Sequence, residues 1–400
     1  MLPWHKATRS RFSNLSLSRS LSNAAAPNRV QVRCGSAGHV TIDLFNVPDD
    51  SSTSDPLLIH LPPFPSQDGH ASELPLFLRN RQVASINYRW SPFSKAPMKA
   101  VGGEALTSLH WPTPVHDTSF SYSWLLENLT PRIGGRRDIY IYGSYLGASL
   151  ATSLALTEAH THARFGVRGL IAYNGVYNWT MFLPDHRINK SSARTRSMAL
   201  SLGPAEGSQL HALQQHVPAL FGSPVNLFDP FASPSLFFHS PGLLVPQSFF
   251  MTAEHAALVD KMTGDEKASA TLIKAPRKSH LVFPPRQSTL KIPETLLLYD
   301  SEPLAELKVS LKTRAKRPRK RSRESGHNFR AQARELTDLM RRSVDRVELR
   351  ERSKWDDNMS NWAGEASRRV EIVEAGPEGQ TLELSQEGHD AVTSWIECRL

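Results

Sequence analysis

The run Tyr140-Ile-Tyr-Gly-Ser-Tyr-Leu-Gly-Ala-Ser149 constrains the fold of this 400-residue chain more than any other feature. A short apolar strand ends in a Gly-x-Tyr-x-Gly turn, and a helix-forming stretch, Leu146 to Ala159, begins at once. Other segments repeat the alternation. Val40–Phe45, Pro56–Leu61, Val83–Asn87, Asp138–Tyr142, Leu170–Tyr173, Gln247–Thr252, Thr295–Tyr299 and Val370–Val373 have strand character. Helices are expected over Glu73–Arg79, Val115–Leu129, Phe329 to about Arg346 and Ala391–Cys398. In the second of these, Phe120, Trp124, Leu125 and Leu129 fit one face; in the third, Ala333, Leu336, Leu339 and Met340 do. Strands alternating with helices predict an α/β fold with a doubly wound, mostly parallel sheet.

Residues 176–245 lose this rhythm. Prolines 184, 218, 224, 230, 234 and 241 punctuate Phe- and Leu-rich patches, which predicts an inserted cap of short helices. Phe228, Phe231, Phe237 and Phe238 in that stretch predict an apolar pocket between cap and sheet, above Tyr145. Residues 350–367 suggest a loop insertion.

Composition excludes several classes. Apolar residues are 40% of the chain, enough to bury a core. Its two cysteines, Cys34 and Cys398, exclude a disulfide scaffold and a four-Cys zinc site. No apolar run approaches the ~20 residues of a membrane span. The 16 histidines show no ligand spacing, so no metal or other cofactor is expected. The net charge of +9 is localised: residues 1–42 carry six cations before the first acid, Asp43, and residues 308–323 carry nine cations and no acid, which leaves the remainder at −6. A mildly acidic body argues against a nucleic-acid-binding surface.

The two basic segments have their own readings. Residues 1–29 form a tail, rich in Arg and Ser and free of acids, that fits mitochondrial import or plain disorder. The insertion at about 308–327 fits a nuclear signal or a solvated loop. An import segment acts first, so the expected address is mitochondrial, with cytoplasm and nucleus as alternatives.

The strand–turn–helix at 140–149 has the context of a nucleophile elbow, and several further segments stand in register with it. On these the chain resembles the α/β-hydrolase superfamily, in its esterase/lipase-like branch related to hormone-sensitive lipase and arylacetamide deacetylase. Leu57-Leu-Ile-His-Leu-Pro-Pro63 looks like the strand and oxyanion loop. Val83–Arg89 with Ser91-Pro92 looks like the next strand and its Tyr-Arg signature. Trp111–Asp117 looks like the segment opening the following helix. Thr295–Pro303 looks like the strand end that carries the triad acid, and Gln386–Asp390 like the position of the triad histidine. The resemblance covers about 40–310 and 328–400. It implies one hydrolase domain over 30–400.

The departures decide the expected function. Tyr145 stands where the branch has its nucleophilic serine. A phenol has a pKa of ~10, and its oxygen lies too far from the backbone for the oxyanion site. Ser144 is adjacent but points elsewhere from an elbow. Pro62 and Pro63 replace glycines that supply N–H donors, and proline has none; Leu146, after the elbow residue, is the remaining oxyanion-loop position. For the acid there are two candidates, Asp300 and Glu302, either of which could be turn chemistry. His389 is the candidate base, or a surface histidine before a helix. His116-Asp117 fits a helix N-cap, and His280 a loop histidine. The expectation is a hydrolase-fold protein without a serine nucleophile, a pseudoenzyme or non-hydrolytic member that binds a small apolar molecule. The alternative is a carboxylic-ester hydrolase acting on a small or medium apolar ester, which would need Ser144 or an unexpected group as nucleophile. A lyase or isomerase using His389 with an acid is a third class.

Overall fold

A computed structural model of the chain describes residues 27–35, 38–48, 55–65, 73–90, 109–131, 135–184, 186, 188–189, 203–243, 278–301, 327–352, 364–379 and 381–399. Glu302, Ser91-Pro92, the strand expected at 247–252, residues 1–26 and most of the basic insertion lie outside the described residues.

Eight strands form one sheet: β1 Asn28–Arg33, β2 His39–Phe45, β3 Leu57–Leu61, β4 Val83–Asn87, β5 Arg137–Ser144, β6 Phe165–Tyr173, β7 Glu294–Ser301 and β8 Val370–Pro377. Their spatial order is β1-β2-β4-β3-β5-β6-β7-β8. The β1–β2 and β2–β4 pairs are antiparallel, and every later pair is parallel. This is the mostly parallel sheet of the α/β-hydrolase fold. The inner strands β3 and β4 are buried along their whole length. Covered on both faces, they are continuous apolar runs with few interruptions. β1 begins at Asn28, inside the stretch read as tail, and Arg29 makes a bidentate pair with Asp43 of β2.

The principal helices are α1 Thr113–Leu129, α2 Leu146–Glu158, α3 Gln209–Phe221, α4 Phe329–Ser343, α5 Glu365–Arg369 and α6 Gln386–Glu397. α1 packs against α2, and both α2 and α4 meet the 3₁₀ turn Pro234–Phe237 on one side of the sheet. On the other side α6 meets the 3₁₀ turn Leu76–Leu78.

Four local expectations need correction. Glu73–Arg79 is not a helix; only Leu76–Leu78 turns, because Pro75 precedes it and Leu78 alone of the three is buried. In α1 the buried face carries Asp117, Thr118, Ser121, Tyr122 and Leu125, and Phe120 is 43% exposed. Asp117 is no N-cap, since helix α1 starts at Thr113. Its carboxylate takes the Arg89 guanidinium at 2.6 and 2.9 Å and the Arg89 N–H at 2.9 Å. The last helix begins at Gln386, five residues earlier than Ala391, so His389 lies in its first turn. α4 does run from Phe329, with Ala333, Leu336, Leu339 and Met340 buried, and continues as a π turn over Val344–Leu349.

Several of the described residues between 176 and 243 are tied by polar contacts to α2 and to the segments flanking β4 and α1. Trp90 Nε1 donates to the Leu220 carbonyl at 2.7 Å, Trp111 Nε1 to Asp229 at 2.9 Å, and Ser153 to the Phe231 carbonyl at 2.7 Å. Phe231 packs on Phe237, and Phe237 and Phe238 both pack on Phe283 at 5.0 and 5.2 Å. These aromatics pack against one another rather than over Tyr145.

Candidate active site

Tyr145 links β5 to α2 with φ +50° and ψ −112°. A non-glycine residue there is strained, and the surroundings must hold it. Small neighbours permit the turn. A methyl added to Gly147 would run into the Leu61 and Pro62 carbonyl oxygens, so the loop after β3 lies directly on the start of α2. The Tyr145 N–H donates to the Tyr173 carbonyl at 2.9 Å. The Leu146 N–H donates to the Pro63 carbonyl at 3.2 Å. Pro62 is fixed in turn, its carbonyl accepting from Tyr88 Oη at 2.9 Å.

The Tyr145 side chain is 1% exposed. Its ring lies 6.0 Å from Phe64, 5.7 Å from Tyr173 and 5.8 Å from Phe329. Its hydroxyl accepts from Asn174 Nδ2 at 3.2 Å. Burial pushes the phenol pKa up to about 12, although the Asn174 bond pulls the other way.

Asp300, at the end of β7, is 7% exposed and closes the same network. Its Oδ2 accepts from Tyr173 Oη at 2.7 Å and from Asn174 Nδ2 at 2.9 Å. Its backbone N–H donates to Asn174 Oδ1 at 2.9 Å. Burial raises this carboxyl to about 6, against the opposing bonds from Tyr173 and Asn174. Asn174 has φ +49°, a conformation asparagine tolerates better than most residues.

His389 stands apart from this network. Ser385 caps α6 by accepting from the Gly388 N–H at 3.1 Å, which sets His389 one residue further on. The imidazole packs edge-on against Phe77 at 5.5 Å. Among the described residues no hydrogen bond joins it to Asp300 or Tyr145. The expected members therefore separate: Tyr145 and Asp300 share one buried cluster, and His389 faces a cleft with Ser144, Pro62 and Pro63.

That cleft has a volume of about 520 Å³. Residues of β3 and β5 line it together with the segment around the Leu76–Leu78 turn, residues 382–384 and His389 of α6. Alternation along β5 aims Tyr142 and Ser144 to this side and Gly143 toward α2. His60 of β3 supplies another wall. Its ring stacks on Tyr142 at 5.8 Å, and its Nδ1 lies 3.0 Å from Ser85 Oγ. Burial lowers its pKa to about 3, so it is neutral. Ser144 is 3% exposed and lies beside the Tyr142 phenol. Leu74, Leu76, Leu382 and Leu384 make much of the remaining surface apolar. His60 and Tyr142 were missed as site residues. The available signal was a histidine inside an otherwise aliphatic strand, with Tyr142 and Ser144 two apart on the neighbouring one. Among the described residues no three His, Cys, Asp or Glu side chains are grouped to hold a metal, and no helix is long and apolar enough to cross a membrane.

No family model and no curated protein matches the chain. Solved structures of esterases do align with it. Carboxyl esterase 2 from the mycorrhizal fungus Tuber melanosporum aligns over 94% of this chain and 87% of its own, at 12% identity and a TM-score of 0.44. The hyperthermophilic esterase from the archaeon Pyrobaculum calidifontis aligns over 94% and 86%, at 13% identity and 0.44. An esterase from Rhizomucor miehei aligns over 94% and 84%, at 13% identity and 0.42.

Proposed function

We propose that this is a hydrolase-fold protein whose hydrolytic centre is closed and which binds a small apolar molecule in the cleft beside His389. The observation that carries the reading is the bond from the Leu146 N–H to the Pro63 carbonyl. An acyl-transfer centre keeps that N–H free for a developing oxyanion. Here a carbonyl occupies it, Pro62 and Pro63 contribute no donors, and the elbow side chain is a buried phenol. Asp300, raised to about 6 and held by Tyr173 and Asn174, serves the packing of Tyr145 rather than orienting a base. Glu302 remains the second candidate for the acid.

The cleft volume falls within the ~300–1,000 Å³ usual for small-molecule sites. Its walls are apolar along Leu74, Leu76, Leu382 and Leu384, with His60, Tyr142, Ser144 and His389 as polar groups and Glu73, Arg79 and Glu383 also lining it, which suits an ester or another small molecule with a polar end. A second reading, carboxylic-ester hydrolysis, is favoured by one fact: Ser144 and His389 line the same cleft. Titration with ethyl butyrate and ethyl octanoate, with product acid followed alongside, separates the two. The binding reading expects heat of binding without acid release, and loss of binding in His389→Trp, which fills the cleft. Acid release abolished by Ser144→Ala would establish the hydrolase instead. The proposed address is mitochondrial. Residues 1–40 fused to a fluorescent reporter should collect in that organelle, and a diffuse signal would refute the address.

A further inference from the structure

A second concavity, of about 200 Å³, lies between α4 with its π turn and the segment Lys278–Arg286. Phe238, Phe283, Leu339 and Val347 contribute its apolar surface, and Arg286, Arg342, Arg346 and Arg350 its charge. Three of these arginines recur at intervals of four along one helical face, so they stand in a row beside the groove. Leu281 and Val282, on the same rim, are 50% and 55% exposed. The local field is positive. His280 is held below the usual histidine value by partial burial and then by the charges of Arg342, His239, Arg346 and Lys278. Glu335, a half-buried carboxylate of α4, is paired with Lys278 at 2.6 Å and His239 at 3.2 Å. Among the described residues Arg286 and Arg346 have no carboxylate partner. The helix widens into a π turn at Val344–Leu349, where Arg346 and Val347 meet the groove, and such turns concentrate at functional sites.

We infer that this groove docks an acidic segment of a partner protein, with one apolar side chain seated between flanking carboxylates. Size selects the occupant. The volume is below the ~300 Å³ where small-molecule pockets begin, and it accepts one or two side chains. Charge selects its chemistry. Guanidinium groups pair with carboxylates through two parallel hydrogen bonds, and a row of them favours successive acids on one chain. The apolar floor then supplies the anchor, and the arginines supply register and steering.

The test uses the full chain and a fluorescein-labelled peptide of one leucine with two glutamates on each side, followed by fluorescence anisotropy. Saturable binding is expected. Replacing the peptide leucine by serine should weaken it about tenfold, the value of one buried apolar side chain. The double variant Arg342→Glu/Arg346→Glu should weaken it at least about tenfold through lost charged hydrogen bonds. Arg286→Glu, on the opposite wall, should act in the same direction, which guards against a folding defect in the double variant. Circular dichroism melts should match wild type. Equal binding of the serine peptide, binding that survives both sets of substitutions, or no binding would overturn the proposal. So would recruitment to phosphatidylglycerol vesicles that outcompetes the peptide.

Discussion

The backbone N–H of Leu146 donates to the carbonyl oxygen of Pro63 at 3.2 Å, across the gap between the elbow helix and the loop after β3. That contact joins two sequence departures that look independent. In the proposed reading the prolines leave the loop without donors, and the Pro63 carbonyl takes the donor at the elbow. Tyr145 beneath it is fixed by Phe64, Tyr173 and Phe329.

Tyr145→Ser should therefore fail to restore an esterase. The new hydroxyl would lack a free oxyanion donor, a loss worth ~3 kcal/mol in transition-state binding. It would also empty a fully buried aromatic site, which costs about 3 kcal/mol or more of stability. Hydrolysis of p-nitrophenyl acetate by this variant should stay within a few-fold of the wild-type level, and its melting temperature should fall. Turnover well above wild type would show an open centre.

Asp300 gives the fold a pH signature. Its folded value, about 6, lies above the ordinary carboxyl value of ~4. The fold thus favours the neutral form. That stabilisation is whole below pH ~4 and is lost as pH rises through about 6. Asp300→Asn keeps an oxygen for Tyr173 and Asn174 and cannot ionise. It should raise stability at pH 8 by about 2 kcal/mol and change little at pH 4, as read from urea midpoints. A destabilised variant at pH 8 would instead show that the charge is used.

Glu335 should behave in the opposite sense. Burial alone would raise its carboxyl, but the His239 bond and the Lys278 charge and bond outweigh it and hold it well below the usual range. Its contribution is present above pH ~4.3 and is lost as pH falls below that. Glu335→Ala removes the carboxylate that His239 and Lys278 share and should cost about 3 kcal/mol at pH 7. The loss should shrink toward pH 3. A pH-independent loss would place the effect in packing alone.

Gly147→Ala tests how closely the loop sits on the elbow. The added methyl meets two backbone oxygens, Leu61 and Pro62, which cannot swing aside as a side chain would. Destabilisation of about 2 kcal/mol is expected from overpacking, measured by thermal melting. A neutral outcome would mean the loop can lift, and the Leu146 amide could then be released.

The inner strands were legible because parallel strands buried on both faces are continuous apolar runs, as in Leu57–Leu61. β1 was not, because only Val30 and Val32 of its six residues are apolar and Arg29 finds its acid fourteen positions away. On α1 the expected Leu125, Trp124 and Leu129 do face the core and Phe120 does not, and Asp117 is buried there by a partner, Arg89, that no periodicity reveals. Tyr145 and Asp300 could be placed from motif context alone. Their separation from His389 could not, since it depends on Tyr173 and Asn174 satisfying the carboxylate and on a short turn at Leu76–Leu78 where a longer helix was expected. The cleft beside His60 is lined by segments far apart in the chain, from β3, β5, the Leu76–Leu78 turn and α6, and so has no local signature.

Fluorophosphonate labelling followed by intact-mass analysis tests the closed centre most directly, because the reagent reports any serine activated by a neighbouring base, whatever the natural substrate. Full-length protein treated at pH 8 should show no added mass. A single stoichiometric adduct mapped to Ser144, lost in His389→Ala, would contradict the account and make the cleft a working hydrolytic site.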